Sequence, residues 1–261
     1  LKQQLLPDSI LAENAGLIIV PDGRLAYLPF EVLLSKPHQG TYGSAPYLLR
    51  KHGFQYAWSA TLLTAKPSTK KAAKRMLQVA PFVDSSRDGL ALLPNSLREK
   101  PEHSAADILQ GKAASADGFL KNARNYQVLQ LSTHAYAGLK KQPGIEFFDR
   151  TVTLPEIYAQ RLRASLVALS ACETGAGKFA EGEGVLSLAR AFAYAGAQSL
   201  VASHWSVSER STADLFAAFY QQLEQGRSKS EALRQAKLQL LAEAGPDARK
   251  APFYWAAFTL S

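Results

Sequence analysis

The chain has 261 residues, of which 47% are hydrophobic and 20% charged, with a formal net charge of +8 and a single cysteine. This length suits one large domain or two small ones, and the apolar fraction is that of a folded globular protein. One cysteine excludes an intrachain disulfide and a multi-cysteine zinc site. No apolar stretch is long enough to span a membrane and no signal-peptide pattern opens the chain, so we expect a cytoplasmic protein without a membrane partner.

The first half of the chain alternates short apolar runs with turns. Strands are predicted at 16–20, 25–28, 54–58 and 75–80. Helices are predicted from Glu102 to Gln110, with Gly111 as the stop, and from Ala116 to Ala123. The stretch Pro94–Pro101 is interpreted as a surface loop. Because the chain begins at Leu1 rather than at a methionine, we expect it to be a piece of a longer polypeptide.

The second half has the stronger pattern of alternating strands and helices. Strands are predicted at 126–131, 165–171, 199–203 and 253–260. Helices are predicted at 153–160, 184–194, 208–225 and 228–244. Strands that are apolar on both faces and alternate with helices indicate an α/β fold, with a central mostly parallel sheet flanked by helices. No linker separates two domains, so we predict one domain over residues 1–261.

Two reactive side chains come directly after predicted strands of the second half. His134 follows the strand 126–131, and Cys172 follows the strand 165–171. The carboxyl ends of parallel strands meet at one edge of a sheet, so the two side chains lie together if their strands are neighbours. An imidazole within hydrogen-bond reach can take the thiol proton and leave the thiolate as nucleophile. The opposing interpretation is structural, since a lone cysteine after an apolar strand is commonly a small buried hydrophobe.

Other chemistries fit the sequence less well. A phosphate-binding loop would need glycine at Cys172 and serine or threonine at Phe179, and no dinucleotide-binding glycine motif follows the first strand. The other histidines lack metal-ligand spacing, so we expect no metal and no cofactor. The basic run 66–75 lacks interleaved aromatic residues, so we interpret it as a solvated loop and do not expect nucleic acid as a partner.

Several segments resemble one known family. The segment Leu166–Gly175, which contains Cys172, is similar to the nucleophile segment of CHAT domains, the bacterial caspase- and separase-like cysteine peptidases. The same family is resembled by the segments Ile19–Gly23, Tyr27–Glu31, Gly182–Phe192, Ser199–Val207 and Tyr254–Phe258. The resemblance covers residues 16–261 and implies a caspase-like three-layer sandwich, with a central mostly parallel sheet between helices.

The resemblance also implies a mechanism and partners. It makes Cys172 the nucleophile and His134 the general base and later acid, in peptide-bond cleavage through a thioester acyl-enzyme. It places the backbone N–H groups of Cys172 and Ala135 in the oxyanion hole. Relatives usually have glycine where Ala135 stands, and alanine resists a positive φ that glycine tolerates. Repeats of the tetratricopeptide (TPR) type are implied upstream, so we expect a protein or peptide substrate and an activating partner.

Specificity for the residue before the scissile bond (P1) has one candidate acid. Separase-like relatives carry acids after the tryptophan, and here Trp205 is followed by Ser206, with Glu209 kept as an acid. Glu209 is therefore the candidate S1 acid, although Ser206 and Glu209 also fit a capping box for the next helix. Competing acids on loops expected near the site are Asp149, Glu181 and Glu183. No side chain that would orient His134 is evident, and a backbone carbonyl could fill that role.

Two functional hypotheses result. The leading one is a cysteine endopeptidase with a Cys172–His134 dyad, held inactive until a partner or ligand acts. The alternative is a catalytically latent CHAT scaffold that serves as a protein-interaction module. Turnover that requires Cys172 distinguishes them.

Overall fold

The computed structural model describes residues 2–7, 11, 16–57, 72–101, 106–136, 143–170, 184–243 and 245–261, with side chains of the helix at 184–194 given from Leu188 onward. Its strands are β1 (Leu17–Ile19), β2 (Phe54–Tyr56), β3 (Lys74–Ala80), β4 (Asp107–Gln110), β5 (Tyr126–Leu131), β6 (Ala135–Tyr136), β7 (Gly144–Glu146), β8 (Thr151–Thr153), β9 (Leu166–Leu169), β10 (Leu200–Ser203) and β11 (Phe258–Leu260). Its α-helices are α1 (Lys2–Leu5), α2 (Ala116–Asn122), α3 (Leu154–Tyr158), α4 (Gly184–Tyr194), α5 (Glu209–Glu224), α6 (Lys229–Ala242) and α7 (Pro252–Trp255).

The centre of the molecule is a six-stranded sheet in the order β11-β10-β9-β5-β3-β4. Neighbouring strands are parallel throughout, except that the edge strand β11 runs antiparallel to β10. This mostly parallel sheet confirms the predicted fold class. Within the described residues, no helix is long and apolar enough to cross a membrane.

Both faces of the central sheet are covered, as its doubly apolar strands require. In β9, Val167 packs into a cluster with α2 and α4, whereas Ala168 packs into a cluster with α5 and α6. The first cluster includes Phe119 and Phe192, and the second includes Phe216. Successive residues of a strand point to opposite faces, so one short strand contributes to both cores.

The N-terminal region, residues 16–57, packs against α6 through an ion pair. It contains the parallel pair β1–β2 and several short 3₁₀ segments. Lys237 Nζ of α6 lies 2.5 Å from Glu31 Oε1, and the Tyr56 hydroxyl donates to Glu31 Oε2 at 2.5 Å. The side chains of Glu31 and Lys237 are only 3% and 2% exposed, so this ion pair is fully sheltered.

Two predictions in the first half are wrong. Residues Gly23–Tyr27 form a 3₁₀ helix rather than a strand, because the chain turns at Gly23, whose φ is +54°. Residues Asp107–Gln110 form the strand β4 rather than the end of a helix, because they pair in parallel with β3 from Leu77 to Ala80. Residues 102–105, where that helix was predicted to begin, lie outside the described residues.

Two further predictions need correction. Residues Pro94–Pro101 are not a plain surface loop, since they contain a 3₁₀ turn and the buried Ser96 and Glu99. In the last predicted strand only 258–260 are extended, because Pro252 begins the short helix α7. Proline suits the first turn of a helix, where its missing N–H is not needed.

Candidate active site

His134 lies buried at the junction of two sheets. The strand β5 ends at Leu131 and β6, the first strand of the antiparallel sheet β6-β7-β8, begins at Ala135. His134 is 4% exposed. Its carbonyl accepts a hydrogen bond from the Glu146 N–H at 2.8 Å, and the Thr133 hydroxyl donates to the Glu146 carbonyl at 2.6 Å. These bonds fix the backbone of His134 against β7.

The loop after β3 holds the imidazole ring. Nε2 of His134 lies 2.9 Å from the carbonyl oxygen of Ala91, and the ring centroids of His134 and Phe82 are 5.1 Å apart. A carbonyl oxygen only accepts, so Nε2 carries a proton, and a neutral imidazole in this position has its lone pair on Nδ1. A hydrogen bond of 2.7 Å from the Leu93 N–H to the Phe82 carbonyl closes the loop. A backbone carbonyl therefore orients His134.

The same loop is fixed by an ion pair and a tight turn. Arg87 donates through Nη2 to Glu146 Oε2, and the Glu146 side chain is 2% exposed. The turn that follows has φ of +53° at Asp88 and +73° at Gly89, a conformation that glycine adopts without steric cost. The ion pair and the turn set the path of the chain that presents the Ala91 carbonyl.

The strands that precede His134 and Cys172 are neighbours, as the sequence argument requires. β5 and β9 are parallel and hydrogen-bonded, with Leu131 opposite Leu169. His134 comes three residues after Leu131, and Cys172 comes three residues after Leu169. Cys172 itself lies outside the described residues.

Ala135 adopts an ordinary backbone conformation. It begins β6 and lies opposite Ile145 of β7. Among the described residues other than glycine, a positive φ occurs at Asp88 alone, so φ at Ala135 is negative. The presence of alanine instead of glycine at this position therefore carries no backbone strain.

A second buried carboxyl, Glu99, lies at the same edge of the sheet. Its Oε2 accepts hydrogen bonds from Gln130 Nε2 and from the Ser132 hydroxyl, both at 2.7 Å. Burial raises the pKa of the Glu99 carboxyl to about 8, and the nearby Glu209 carboxylate adds to the rise. Hydrogen bonds from Ser170, Ser132 and Gln130 act in the opposite direction. Glu99 is therefore a neutral acid at pH 7.

Glu209 is the first residue of α5, and the predicted capping box is wrong. The N-cap is Ser208, whose hydroxyl accepts from the Ser211 N–H at 3.2 Å. Glu209 Oε1 instead accepts from the backbone N–H of Asn95, and Oε2 accepts from Asn95 Nδ2 at 2.6 Å. The helix begins two residues later than a cap at Ser206 would place it, so Glu209 is turned toward the segment before Glu99.

The other candidate residues have structural partners or are not described. Asp149 Oδ1 accepts from the Ala116 N–H at 2.8 Å and so caps α2. Glu181 and Glu183 lie outside the described residues, as do positions 66–71 of the basic run. At the end of that run, Lys74 Nζ lies 2.7 Å from Asp107 Oδ2, which ties it to β4.

Comparisons with known proteins identify the fold first. A structure of the Saccharomyces cerevisiae separase–securin complex at 2.6 Å resolution matches 80% of this chain with a TM-score of 0.52 and 14% identity. A 3.0 Å structure of the same complex matches 93% of this chain with a TM-score of 0.56 and 15% identity. This chain spans 14% and 15% of those chains, respectively. The fold is the caspase-like fold of separase.

The family follows from the sequence. The model of the CHAT domain matches residues 1–261, so the chain belongs to the CHAT domain family. No curated protein is detectably similar to it in sequence. The family match agrees with the resemblance of the cysteine segment and the terminal motifs to CHAT domains.

Sequence reasoning missed three parts of this site. The Ala91 carbonyl has no side-chain signature, and it lies 43 residues before His134. Glu99 stands between Arg98 and Lys100 and so looked like a surface residue. The ion pair of Arg87 with Glu146 joins residues 59 apart, so only the fold brings it together.

Proposed function

We propose that the chain is a cysteine endopeptidase in which Cys172 is the nucleophile and His134 the general base. The parallel register of β5 and β9 is the observation that carries this proposal, because it gives the two residues equal offsets from a paired position. The bond from His134 Nε2 to Ala91 supports it further, since it makes Nδ1 the basic atom of the neutral imidazole, which can take a thiol proton.

The reaction follows from these roles. The thiol proton passes to Nδ1 of His134, and the Cys172 thiolate attacks the scissile carbonyl carbon to form a C–S bond. The N–H groups of Ala135 and Cys172 stabilise the oxyanion. The imidazolium returns its proton to the leaving amine as the C–N bond breaks, which leaves a thioester. Water, deprotonated by His134, then hydrolyses the thioester and restores the thiol.

The proposal is tested by labelling and turnover. A peptidyl acyloxymethyl ketone is expected to add to the single thiol of the wild-type chain, as seen by intact mass. Neither Cys172→Ala nor His134→Ala is expected to react. Cleavage of a peptide library by the wild type should disappear in both variants. Cleavage that persists in Cys172→Ala overturns the proposal, and a wild type that stays unreactive even in the longer chain with its upstream repeats favours the latent scaffold.

Glu209 is proposed as the acid that receives a basic P1 side chain. Each of its oxygens accepts one bond from Asn95, and a carboxylate oxygen has room for a second donor. A positional-scanning library should show a basic P1 preference that Glu209→Gln abolishes. Asp214→Asn is the matched control, because Asp214 lies on the same helix and pairs with Arg98 at 2.6 Å. Equal preferences in the wild type and Glu209→Gln would exclude Glu209 from the pocket.

Protein partners are also proposed. The separase in the matched structures is bound to securin, and its chain is far longer than the present one. By analogy, we propose that repeats of the TPR type upstream and a partner protein regulate this domain, and that it acts in the cytoplasm. Activity that appears only in a longer chain containing those repeats would support this regulation.

A further inference from the structure

A buried polar network lies on the α5 side of the central sheet. Gln78 of β3 is opposite Gln130 of β5, and both are fully buried. The Tyr220 hydroxyl of α5 donates to Gln130 Oε1 at 2.7 Å, and Gln78 Nε2 donates to the Ser96 carbonyl at 2.7 Å. The network therefore connects two central strands to α5 and to the turn that carries Glu99.

Glu99 connects this network to both strands of the candidate dyad. Its Oε2 accepts from Ser132 Oγ at 2.7 Å, and a side-chain hydrogen bond also joins its carboxyl to Ser170. Ser132 lies two residues before His134, and Ser170 lies two residues before Cys172. One carboxyl thus joins the two backbone segments that lead to the proposed base and the proposed nucleophile.

The same segments are also joined directly. The Ser170 N–H donates to the Leu131 carbonyl at 3.1 Å, and the Ser170 hydroxyl donates to the same oxygen at 3.2 Å. Gln130 Nε2 lies 3.1 Å from Ser170 Oγ. The hydroxyl of Ser170 therefore contacts β5, Gln130 and Glu99, and loss of the carboxyl would remove one of these three contacts.

A neutral carboxyl suits a residue that is bonded to the segments leading to the proposed base and nucleophile. An ionised carboxylate there would disfavour a second negative charge on Cys172. Among the described residues, the titratable groups that interact with Glu99 are Glu209 and Tyr220, both on α5, and its hydrogen-bond partners are an amide and two hydroxyls. Burial keeps Glu99 protonated at neutral pH, so it can join the strand ends without opposing the thiolate.

We propose that Glu99 is a positioning residue, a clamp that holds the ends of β5 and β9 at the spacing that the Cys172–His134 dyad requires. This inference rests on the proposed function. It predicts that an uncharged residue of the same size works equally well, whereas removal of the carboxyl uncouples the thiol from the imidazole.

The test is the pH dependence of Cys172 alkylation by iodoacetamide in the whole chain, followed by intact mass between pH 5 and 9. In the wild type, His134 should hold the apparent pKa of the thiol below its free value of about 8.5. Glu99→Gln should react within about threefold of the wild type. Glu99→Ala should lose at least about tenfold in rate at pH 7, because the thiol titrates at its free value again. A purely structural role would lower the melting temperature without moving this profile.

Each outcome has one meaning. The clamp is overturned if Glu99→Ala keeps the wild-type pH profile of Cys172 alkylation. It is also overturned if folded Glu99→Gln no longer shows that profile. If Glu99→Ala does not fold, the double variant Ser132→Ala with Ser170→Ala decides, and a wild-type profile there also overturns it. A wild-type profile that His134→Ala leaves unchanged contradicts the proposed function instead, whatever Glu99 does.

Discussion

Two equally buried carboxyls, Glu31 and Glu99, are stabilised in opposite ways. Glu31 is 2% exposed and faces a cation, Lys237, together with the Tyr56 hydroxyl. Glu99 is 3% exposed, and the hydrogen-bond partners that the described structure gives it are the neutral Gln130, Ser132 and Ser170. Burial disfavours charge in both, but of these two carboxyls only Glu31 has a cation among its described partners.

The two carboxyls therefore have different roles. Glu31 stabilises the fold, whereas Glu99 joins the strand ends of the proposed active site. An ion pair fixes the N-terminal region on α6, far along the chain from His134. At the ends of β5 and β9, which lead to the proposed base and nucleophile, the buried acid Glu99 is protonated instead of charged. Four sets of substitutions test this contrast between a charged and a neutral buried acid.

The largest effect is expected from Lys237→Met. This change leaves Glu31 buried without its cation, so we expect a loss of about 3–5 kcal/mol in the free energy of unfolding. Urea denaturation at pH 7 measures it. The double variant Lys237→Met with Glu31→Gln is the control, and it should be the more stable of the two variants. A single variant within about 1 kcal/mol of the wild type would contradict the ion pair.

Glu99→Gln should change how stability depends on pH. The pKa of Glu99 is about 8 in the folded state, against 4.5 for the ordinary group. Between these values the folded chain keeps a proton that the unfolded chain has lost, so wild-type stability falls as pH rises through this window. The advantage of the variant over the wild type should grow by about 3 kcal/mol from pH 5 to 7.5. Urea denaturation across that range measures it, and a constant difference would contradict a neutral Glu99.

Two tyrosine truncations compare the regions directly. Tyr56→Phe removes a donor to a charged carboxylate and should cost about 2–3 kcal/mol. Tyr220→Phe removes a donor to the amide oxygen of Gln130 and should cost about 1 kcal/mol, which makes it the matched control. Thermal and urea unfolding give both values. A larger loss of unfolding free energy in Tyr220→Phe than in Tyr56→Phe would contradict the expected difference between the two regions.

The smallest effect is expected from Glu209→Gln. Glu209 is a negative group that raises the pKa of Glu99, so its removal should move the Glu99 transition to lower pH by less than about one unit. The stability change caused by Glu99→Gln is measured across pH in two backgrounds, the wild type and Glu209→Gln. The difference between the two pH profiles gives the shift. Asp214→Asn on the same helix should leave the transition in place. A shift of the Glu99 transition to higher pH would exclude repulsion between the Glu209 and Glu99 carboxyls.

The fold was predictable where strands are apolar on both faces. Runs such as Leu166–Leu169 have no polar side chain to suggest a surface, and their alternation with helices indicates the architecture. β4 could not be predicted in this way, because most of its residues are exposed and only its pairing with β3 makes it a strand. The strand that was predicted at 25–28 is a 3₁₀ helix for a similar reason, since local apolarity does not specify the backbone.

The candidate site was predictable only in its reactive side chains. His134 was found because it follows a recognisable strand. Glu99 was not, because its partners Gln130 and Ser132 lie more than 30 residues away and make it a buried acid only in the folded chain. The partner of Glu209 was missed because Asn95 lies 114 residues before it.

The orientation of the imidazole depends on a main-chain atom, and this changes what a mutation can do there. Any residue at position 91 has a carbonyl, so most substitutions of Ala91 would leave the bond to His134 intact. The carbonyl reaches Nε2 only because the loop from Phe82 to Leu93 has its present number of residues and its turn at Gly89. The orientation of His134 therefore depends on the length of this loop. Most substitutions at position 91 should leave it unchanged, whereas a single insertion or deletion in the loop should disturb it.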